Sequence, residues 1–411
     1  MLNLPTEVVV RAIELSGCND FESIDSESGQ QCNAYSAFRA RWELACALRA
    51  TCSFLRSVVA HWEQSTTCIA IRHLGRVDLR AAVQRFPSVR HLSLWGCDDF
   101  ASVHELASLC SELEHVNLRD TKVGDKDVSA LARCSQLTYV VLWNTKVGDA
   151  GVCALSQCSQ LTYVDLWHTR VGDVGVSALS RCSGLAHLDM GHTSVGDVGV
   201  SALARCPELA YVDLCGTKVG DAAASALGQC PKLRHVNLEN TKVGDAGVSA
   251  LARCPRLVYV NLRDTKVGDA GVSALAKCSE LAQINLAYTA VGDAGMSALA
   301  KCLELTHIDL SYTRVEDAGV SALAGCNKLT EVDLTDTRVG DAGVVALVNA
   351  CAATLTDVGL EDTCVGDVGA SALSRCANLV NAYLSRTRVS ASGVEALKTA
   401  CPHADVRSNY D

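Results

Sequence analysis

A repeated unit of 24 residues constrains this chain of 411 residues more than any other feature of its sequence. The unit recurs with little variation from Leu113 onward. Residues 137–160 read LTYVVLWNTKVGDAGVCALSQCSQ, and residues 257–280 read LVYVNLRDTKVGDAGVSALAKCSE. A degenerate first unit occupies residues 89–112, and a two-residue insertion within residues 348–354 displaces the last two units. The thirteen units cover about three quarters of the chain, so the sequence predicts an array of stacked repeats.

Each unit combines two hydrophobic periodicities. Its first six residues follow L-x-x-V-x-L, as in Leu161, Val164 and Leu166, and the last of these positions alternate like a short strand. The second half places Val176, Leu179 and Cys182 on one face of a helix. A strand and a helix of this size cannot bury both apolar faces alone, so neighbouring units must stack. We therefore predict an α/β fold with a parallel sheet inside, helices outside and right-handed crossovers.

The complete unit is L-x-x-V-x-L-x-x-T-x-V-G-D-x-G-V-x-A-L-x-x-C. It resembles the leucine-rich repeats of the cysteine-containing type, and also bacterial repeats that have a similar alanine-rich helix. Threonine stands at the ninth position, where those repeats usually have asparagine or cysteine. The resemblance extends from Val89 to about His403 and implies a right-handed leucine-rich-repeat solenoid.

The domain organisation follows from where the repeat begins and ends. Residues 1–64 lie outside the repeat and are predicted to form a small helical domain. Residues 65–112 would provide a capping strand and helix together with the degenerate first repeat. The regular repeats would span residues 113–403 and leave residues 404–411 as a C-terminal tail.

Composition favours a folded protein in a reducing compartment. Hydrophobic residues make up 49% of the chain and charged residues only 20%, which excludes a disordered chain and permits a large core. No stretch is long and uncharged enough to cross a bilayer, and the first residues lack the basic region of a secretory signal. The 22 cysteines are then expected to be free thiols. We expect a soluble protein of the cytoplasm, with the nucleus as an alternative.

The repeated polar positions are interpreted as structural. The ninth-position threonines, such as Thr145, would supply hydrogen bonds where the chain leaves each strand. The aspartates before the helices, such as Asp149, would act as N-caps, because one carboxylate per unit is far from the oxygen cluster that calcium needs. The cysteine column from Cys134 through Cys326 would fill the core, because packed helices lie too far apart for disulfides between neighbouring units.

A basic column follows the threonines and includes Lys146 and Arg170. Regular positive charge can track a phosphate backbone, but the neighbouring aspartates offset it and the chain has a net charge of −10. The column is therefore interpreted as a solvated edge, and neither nucleic acid nor membrane is expected as a partner.

The variable positions predict a binding face. In a half-exposed strand the third, fifth and seventh residues of each unit face away from the helices and would line the concave side of the solenoid. Exposed aromatic rings with polar neighbours are typical of protein interfaces, although strand propensity explains part of the pattern. The residues predicted to bind a partner are Trp95, Tyr139, Trp143, Tyr163, Asp165, Trp167, His187, Asp189, Tyr211 and Asp213.

Three successive units carry an aspartate at the fifth position, namely Asp165, Asp189 and Asp213. Like charges about 4.8 Å apart repel one another, so this stack needs a counter-charge. We expect the counter-charge from a basic patch on a protein partner whose apolar part rests on Trp143 and Trp167. Protonated histidines are the alternative source, and the candidates are His168, His187 and His192.

A metal site is a further alternative at the same place. The residues that would have to converge are His168, His192, Asp189 and Cys215. These ligand types suit zinc, but no spacing in the sequence fixes their geometry. We therefore predict neither a metal nor a cofactor.

The N-terminal segment contains two amphipathic runs. Leu4-Pro5-x-Glu7-Val8 begins a helix with proline in its first turn, and the second run contains Leu48-x-x-x-Cys52-x-x-Leu55-Arg56-x-Val58 and Trp62. These residues resemble an F-box. In that family the helices bind a Skp-type adaptor of an SCF ubiquitin ligase, and the attached repeats capture the protein to be ubiquitinated. The alternative is a helical cap that seals the first repeat.

The F-box resemblance implies a role for the whole chain as the substrate-recognition subunit of an SCF-type ubiquitin ligase, monomeric outside its complex. Carried over by position, the residues that would face the adaptor are Leu4, Pro5, Val8, Val9 and Ile13. A binding scaffold or inhibitor without a ubiquitin role is the alternative. The sequence contains no phosphate-binding glycine loop, metal motif or nucleophile elbow, so we predict that the chain is not an enzyme.

Overall fold

The computed structural model describes residues 68–70, 89–96 and 112–410. The prediction of a helical domain in residues 1–64 therefore lies outside the described residues, as do the adaptor-facing residues Leu4, Pro5, Val8, Val9 and Ile13. The chain divides into two compact units, Met1–Arg170 and Val171–Asp411.

Parallel strands paired in sequence order make up the sheet of the first unit. Its strands are Cys68–Ala70 (β1), His91–Ser93 (β2), His115–Asn117 (β3), Tyr139–Val141 (β4) and Tyr163–Asp165 (β5). Helices in the described part of this unit are Asp125–Leu131 (α1) and Asp149–Leu155 (α2). Each strand from β3 to β5 pairs with the preceding strand at an offset of one repeat, as Tyr139 does with His115.

The second unit repeats this plan throughout residues 171–410. Its parallel strands are His187–Asp189 (β6), Tyr211–Asp213 (β7), His235–Asn237 (β8), Tyr259–Asn261 (β9), Gln283–Asn285 (β10), His307–Asp309 (β11), Glu331–Asp333 (β12), Asp357–Gly359 (β13), Asn381–Tyr383 (β14) and Asp405–Arg407 (β15). Its helices are Asp173–Leu179 (α3), Asp197–Ser201 (α4), Asp221–Leu227 (α5), Asp245–Leu251 (α6), Asp269–Leu275 (α7), Asp293–Leu299 (α8), Asp317–Ala322 (α9), Asp341–Cys351 (α10), Asp367–Leu373 (α11) and Ala391–Ala400 (α12). Short 3-10 turns extend α4 and α9, at Ala202–Arg205 and Leu323–Gly325. The predicted parallel α/β repeat fold is thus confirmed.

The core of each repeat consists of the apolar positions that define the sequence pattern. In the repeat that begins at Leu257, the fully buried side chains are Leu257, Val260, Leu262, Val267, Val272, Leu275 and Cys278. Each buried valine or leucine contributes about 1.5–3 kcal/mol relative to an exposed one. The strand and helix faces predicted from the two periodicities are therefore the faces that the fold buries.

The helices are shorter than the sequence pattern suggests. Most span seven residues and end at the leucine of the pattern, as α7 does at Leu275. The cysteine lies three residues later in the following turn, where the Cys278 backbone N–H donates to the Leu275 carbonyl at 2.8 Å. The prediction that the cysteines lie on the helix itself, as for Cys182 after α3, is wrong by one turn, although their burial in the core is confirmed.

Two irregularities of the sequence have simple structural outcomes. The two-residue insertion near residue 350 lengthens α10 to eleven residues, and the strand register continues after it. The segment assigned to a C-terminal tail contains β15, which pairs with β14 and buries Val406. This happens because Asp405-Val406-Arg407 keeps the polar–apolar–polar alternation of the other strands.

The threonines have the structural role that the sequence predicts, but their hydroxyl groups bond to a carbonyl of the same turn. The Thr241 hydroxyl is buried and donates to the Leu238 carbonyl at 2.7 Å, three residues back in the same turn. The residue before it, Asn240, adopts a left-handed conformation with φ of 51°. Asparagine, aspartate and histidine tolerate this region better than most side chains, and they dominate the eighth position of the unit.

The aspartates at the thirteenth position do not cap their own helices, so that prediction is wrong. Asp245 is the first residue of α6, and the N-cap before it is Gly244, which has no side chain to accept a hydrogen bond. The Asp245 Oδ1 atom instead accepts from the N–H groups of Gly268 at 2.8 Å and Gly271 at 2.9 Å, at the start of α7 in the next repeat.

This inter-repeat cap recurs along the second unit. Asp173, Asp197, Asp221, Asp269, Asp317 and Asp341 make the same pair of contacts with the helix that follows. The contact also explains the glycine at the fifteenth position, because a Cβ at Gly271 would approach Asp245 Oδ1 to 2.7 Å. The carboxylate thus satisfies N–H groups that a helix N-terminus leaves without partners.

No disulfide joins the cysteines within residues 112–410, and those of the column are buried. The Cys254 Sγ atom lies 3.5 Å from the Leu227 carbonyl oxygen of the preceding repeat. Burial raises the pKa of this thiol to about 11, so it stays protonated at neutral pH. These cysteines behave as small core residues with a weak hydrogen bond to a neighbouring repeat.

We expect Asp245→Ala to lower the free energy of unfolding by about 1–2 kcal/mol, because it removes the acceptor of two helix N-terminal N–H groups. Urea unfolding followed by circular dichroism measures this loss. Glu280→Ala is the matched control, since it removes an exposed carboxylate whose ion pair with Arg234 spans 3.6 Å. Its expected cost is below about 0.5 kcal/mol. Equal losses in the two variants would contradict the inter-repeat cap.

Candidate functional site

The sheet face is the surface formed by the third and fifth residues of each repeat, with the seventh at its margin. The fourth residue of each repeat, which is the middle residue of its strand, is buried, whereas its two neighbours are mostly half-exposed, which confirms the predicted alternation. Trp143, Trp167 and Asp189 are all partly exposed and lie outside the leucine core. The predicted residues are divided between the two compact units, so each unit is described separately.

A cluster of three residues on the sheet face of the first unit, the Trp cluster, comprises Trp143, Trp167 and Arg119. The rings of Trp143 and Trp167 meet edge to face, with their centroids 4.7 Å apart and an interplanar angle of 65°. The guanidinium of Arg119 lies over the Trp143 ring at 3.7 Å and over the Trp95 ring at 4.9 Å. Such cation–π contacts hold the rings in place while leaving surface exposed.

A hydrogen-bond network fixes the edge of this cluster. The Trp95 Nε1–H donates to Asp120 Oδ2 at 2.9 Å, and the Asn144 side-chain amide donates to Asp120 Oδ1 at 2.8 Å. Burial alone would raise the pKa of Asp120, but these hydrogen bonds and a third from Arg119 lower it. The carboxylate is therefore ionised at neutral pH and anchors Trp95 and Arg119 together.

The third-position rings of the first unit stack along the strands. Tyr139 and Tyr163 lie face to face with centroids 4.0 Å apart, and His91 and His115 stack at 4.3 Å. In the second unit His187 and Tyr211 stack at 3.9 Å with nearly parallel planes. Stacking follows from the strand register, which places residues one repeat apart directly beside each other.

The fifth-position aspartates have a structural role that was not predicted from the sequence. The Asp165 Oδ1 atom accepts from the Trp167 backbone N–H at 2.9 Å, and Asp213 Oδ1 accepts from the Cys215 N–H at 2.8 Å. Asp189 makes the same contact with Gly191. These hydrogen bonds close the turn after each strand, as asparagine and aspartate side chains often do. The signal was present in the sequence, because asparagine and aspartate replace each other in most units of this column.

Protonated His187 does not supply the counter-charge for this stack, contrary to one prediction. Burial lowers the pKa of His187 to about 4, so its ring is neutral at pH 7. Burial also raises the pKa of Asp213, while the Asn237 side-chain amide donates to Asp213 Oδ2 at 2.8 Å. Within the second unit, hydrogen bonds from the Cys215 N–H and the Asn237 amide therefore help to accommodate this carboxylate.

The residues considered for a metal site do not form one in the described part of the chain. His192 Nε2 lies 3.8 Å from Cys215 Sγ, but no group of three or more potential ligands occurs among residues 68–70, 89–96 and 112–410.

The described helices include none that is long and apolar enough to span a membrane.

Two tyrosines outside the predicted columns are conspicuous in the second unit. Tyr288 and Tyr312 are 43% and 40% exposed, and their rings stack at 4.2 Å. Both stand at the eighth position with φ of 56° and 58°, a left-handed conformation that is unfavourable for a bulky side chain. The sequence signal was the replacement of the usual asparagine, aspartate or histidine by tyrosine in two successive units.

The repeat sequence matches a described family. The BspA type leucine rich repeat region matches residues 107–210 and 198–330 in six copies, and a further leucine rich repeat matches residues 325–348. No curated protein matches the chain.

Solved structures share the fold. An internalin from Listeria monocytogenes has a TM-score of 0.66 and 19% identity, over 82% of this chain and 93% of its own. A leucine-rich-repeat protein from Leptospira interrogans has a TM-score of 0.63 and 13% identity, over 81% of each chain. A TDR receptor has a TM-score of 0.59 and 15% identity, over 82% of this chain and 62% of its own. At these identities the likeness concerns the fold alone.

We expect the half-buried His187 ring to make the folded chain sensitive to mild acid. An exposed histidine titrates near 6.5 and His187 near 4, so the unfolded chain binds the proton first as the pH falls. Stability contributed by the neutral ring is fully present above pH 6.5 and is lost as the pH falls towards 4.

The variant His187→Tyr tests this pH dependence. Tyrosine is the third residue of other repeats, as Tyr139 and Tyr163 show, and it does not titrate between pH 4 and pH 7. Between pH 7 and 4.5 the unchanged chain should lose about 2 kcal/mol more unfolding free energy than the variant. Exposed His403, changed to glutamine, is the control and should leave the pH profile unchanged. Parallel profiles for His187→Tyr and the unchanged chain would contradict the burial argument.

Proposed function

The chain belongs to the leucine-rich repeat proteins of the BspA type, and we propose that it is a protein-binding scaffold whose sheet face captures a partner protein. A leucine-rich-repeat scaffold suggests protein–protein interaction. Its repeated positions serve the fold, and the variable residues of the sheet face are available for recognition.

The observation that carries this proposal is the Trp cluster. Trp143 and Trp167 present large ring surfaces that are only half-exposed, and Arg119 holds one of them by a cation–π contact at 3.7 Å. Tryptophan and arginine are enriched at the energetic centres of interfaces, where they are rigid and poorly hydrated. Rings that are ordered before binding lose little entropy when a partner docks.

The charge of the chain supports a partner with a basic patch. The net charge is −10, and Asp189 and Asp213 lie side by side on neighbouring strands of the second unit. Complementary charge raises the rate of association and the selectivity for a partner more than it raises affinity. The partner is thus proposed to combine an apolar contact on the Trp cluster with lysine or arginine side chains.

A more specific proposal follows from the F-box resemblance of the N-terminal segment. The chain would be the substrate-recognition subunit of an SCF-type ubiquitin ligase in the cytoplasm or nucleus. Its N-terminal residues would bind a Skp-type adaptor, and the sheet face would hold the substrate. The support is the sequence pattern Leu4-Pro5-x-Glu7-Val8 with the second run ending near Trp62. A scaffold or inhibitor without a ubiquitin role is the alternative.

The double variant Trp143→Ala/Trp167→Ala tests the sheet face. Proteins captured by the full chain from a cell lysate, measured by quantitative mass spectrometry, should include at least one whose recovery falls about tenfold or more in the variant. The control is the double variant Leu303→Ala/Val368→Ala, which removes apolar side chains that are 57% and 62% exposed outside the sheet face. The proposal fails if no captured protein distinguishes the tryptophan variant from this control.

The double variant Leu4→Ala/Pro5→Ala tests the ligase role. A Skp-type adaptor should co-purify with the unchanged chain and be lost with this variant, because an F-box contacts its adaptor through the Leu-Pro start. Partner capture through Trp143 and Trp167 should persist in the same variant. Absence of any adaptor from the unchanged chain would leave the scaffold and reject the ligase role.

A further inference from the structure

A cavity of about 430 Å³ opens on the sheet face of the second unit, over strands β9 to β14. Carboxylates and rings dominate its wall, from Asp309, Glu331, Asp333, Asp357, Tyr259 and Tyr383. None of the described residues that line it is a lysine or an arginine. The volume suits one or two side chains rather than a folded domain, and the lining is strongly acidic.

Asp333 differs from the equivalent aspartates in its hydrogen bonds. Each of them accepts a backbone N–H in the turn after its strand, as Asp333 Oδ1 does from Thr335 at 2.9 Å. The second oxygen of Asp309 accepts from the Asn285 amide at 2.9 Å. Asp333 Oδ2 accepts no hydrogen bond from the residues that the structure describes, because Gly359 stands beside it where a neighbouring asparagine would be.

Gly359 also shapes the cavity. It is the fifth residue of its repeat, a position that carries asparagine or aspartate in most of the other units. A Cβ at Gly359 would collide with Asp333 Oδ1. Because Gly359 has no side chain, Asp333 Oδ2 lacks a hydrogen-bond donor at this position, and the Asp333 carboxylate extends into the space beside Gly359.

The other charged groups of the wall already have partners. Glu331 accepts from His307 Nε2 at 3.0 Å, and Asp357 accepts from the Asn381 side-chain amide. Arg407 lies over the Tyr383 ring at 5.4 Å but forms an ion pair with Asp405 at 2.8 Å. His307 is the only titratable base in the lining. The cavity thus offers an acidic wall in which Asp333 Oδ2 is available to a cationic donor.

Aromatic faces next to the cavity already accept guanidinium groups. The guanidinium of Arg263 lies 4.6 Å from the centroid of the Tyr288 ring, and Tyr288 is in the turn that follows β10. The guanidinium of Arg407 lies over the Tyr383 ring in the same way. Tyr288 and Tyr312 follow strands β10 and β11, both of which line the cavity. The same surface therefore provides carboxylate and ring faces, the two groups that recognise arginine best.

We propose that this cavity binds an arginine side chain in an extended segment of a partner protein. The guanidinium donates to Asp333, and its aliphatic stem packs against the rings of the wall. Arginine fits better than lysine because its planar fork matches a carboxylate and stacks on aromatic faces. The proposal rests on the proposed function in taking the partner to be a protein, but it concerns residues that the Trp cluster does not include.

The test uses the full chain and a fluorescein-labelled peptide of sequence Gly-Arg-Gly-Arg-Gly-Arg-Gly, titrated by fluorescence anisotropy at about 0.1 M salt. Two matched peptides carry lysine or uncharged citrulline in place of arginine. The arginine peptide should bind, the lysine peptide should bind more weakly and the citrulline peptide should not bind. Equal binding of the citrulline peptide, or of the lysine peptide, overturns the proposal.

Asp333→Asn should weaken binding of the arginine peptide about tenfold. The fold tolerates the change, because Asn237, Asn261 and Asn285 occupy the same position and close the same turn. The control Glu280→Gln removes the same charge from an exposed site outside the cavity and should change the affinity less than about twofold. A similar loss in both variants means that only long-range charge attracts the peptide, and it overturns the proposal.

Gly359→Asn adds a side chain to the cavity without changing any charge, and its Cβ requires the Asp333 carboxylate to move from its present position. The variant copies the pair formed by Asp213 and Asn237, in which the amide donates to the carboxylate at 2.8 Å. It should weaken peptide binding about tenfold while circular dichroism and the thermal unfolding midpoint show a folded chain. Unchanged peptide affinity in a folded Gly359→Asn variant overturns the proposal.

The double variant Trp143→Ala/Trp167→Ala separates this inference from the proposed function. It should leave the affinity for the arginine peptide unchanged even where it abolishes capture of a partner. Loss of peptide binding in this variant would place the peptide on the Trp cluster and overturn the cavity assignment. If peptide binding persists and partner capture is also unchanged in this variant, the cavity is supported and the Trp cluster is rejected.

Discussion

The carboxylate that caps the helix of the next repeat is the interaction on which the regularity of the array depends. Asp245 Oδ1 accepts two N–H groups of α7, while the strands β8 and β9 pair on the other side of the same repeats. Consecutive repeats are thus joined at both their helix side and their strand side. Two separate links at a constant spacing keep the register constant, and the register in turn aligns the third-position rings into stacks.

The sequence predicts the buried half of each repeat almost completely. Leucine and valine at a period of two along the strand and of three to four along the helix leave one arrangement that buries them all. Fold, strand direction and the core positions followed from this pattern. The end of each helix did not, because alanine and leucine permit a longer helix, and only packing between repeats decides where the next turn begins.

The roles of the polar columns were harder to predict, because one sequence pattern serves several hydrogen-bond arrangements. An aspartate before a helix caps its own N-terminus in most proteins, and nothing in G-D-x-G alone distinguishes this from a cap on the following repeat. The fifth-position aspartates similarly combine a surface position with a turn-closing hydrogen bond. The predicted repulsion between these aspartates is too large, because the backbone N–H that each carboxylate accepts in its own turn stabilises part of its negative charge. The protonation of His187 depended on burial, which the sequence alone does not measure.

The cap between repeats gives the array a polarity. From α4 onward, each helix start is capped by a carboxylate that lies one repeat earlier in the chain, so this contact always runs in the same direction along the chain. The helix α12 begins with Ala391 in place of the aspartate, and its own N-cap, Ser390, accepts from the Gly393 N–H at 3.1 Å. The Asp367 carboxylate accepts from the backbone N–H and the hydroxyl of Ser390 at the start of this helix, but the helix has no aspartate of its own that could cap a following one. Adding a further repeat after α12 would require an acidic residue at position 391 to cap the new helix. Removing repeats from the N-terminal side would instead leave the first remaining helix with N-terminal N–H groups that no aspartate accepts.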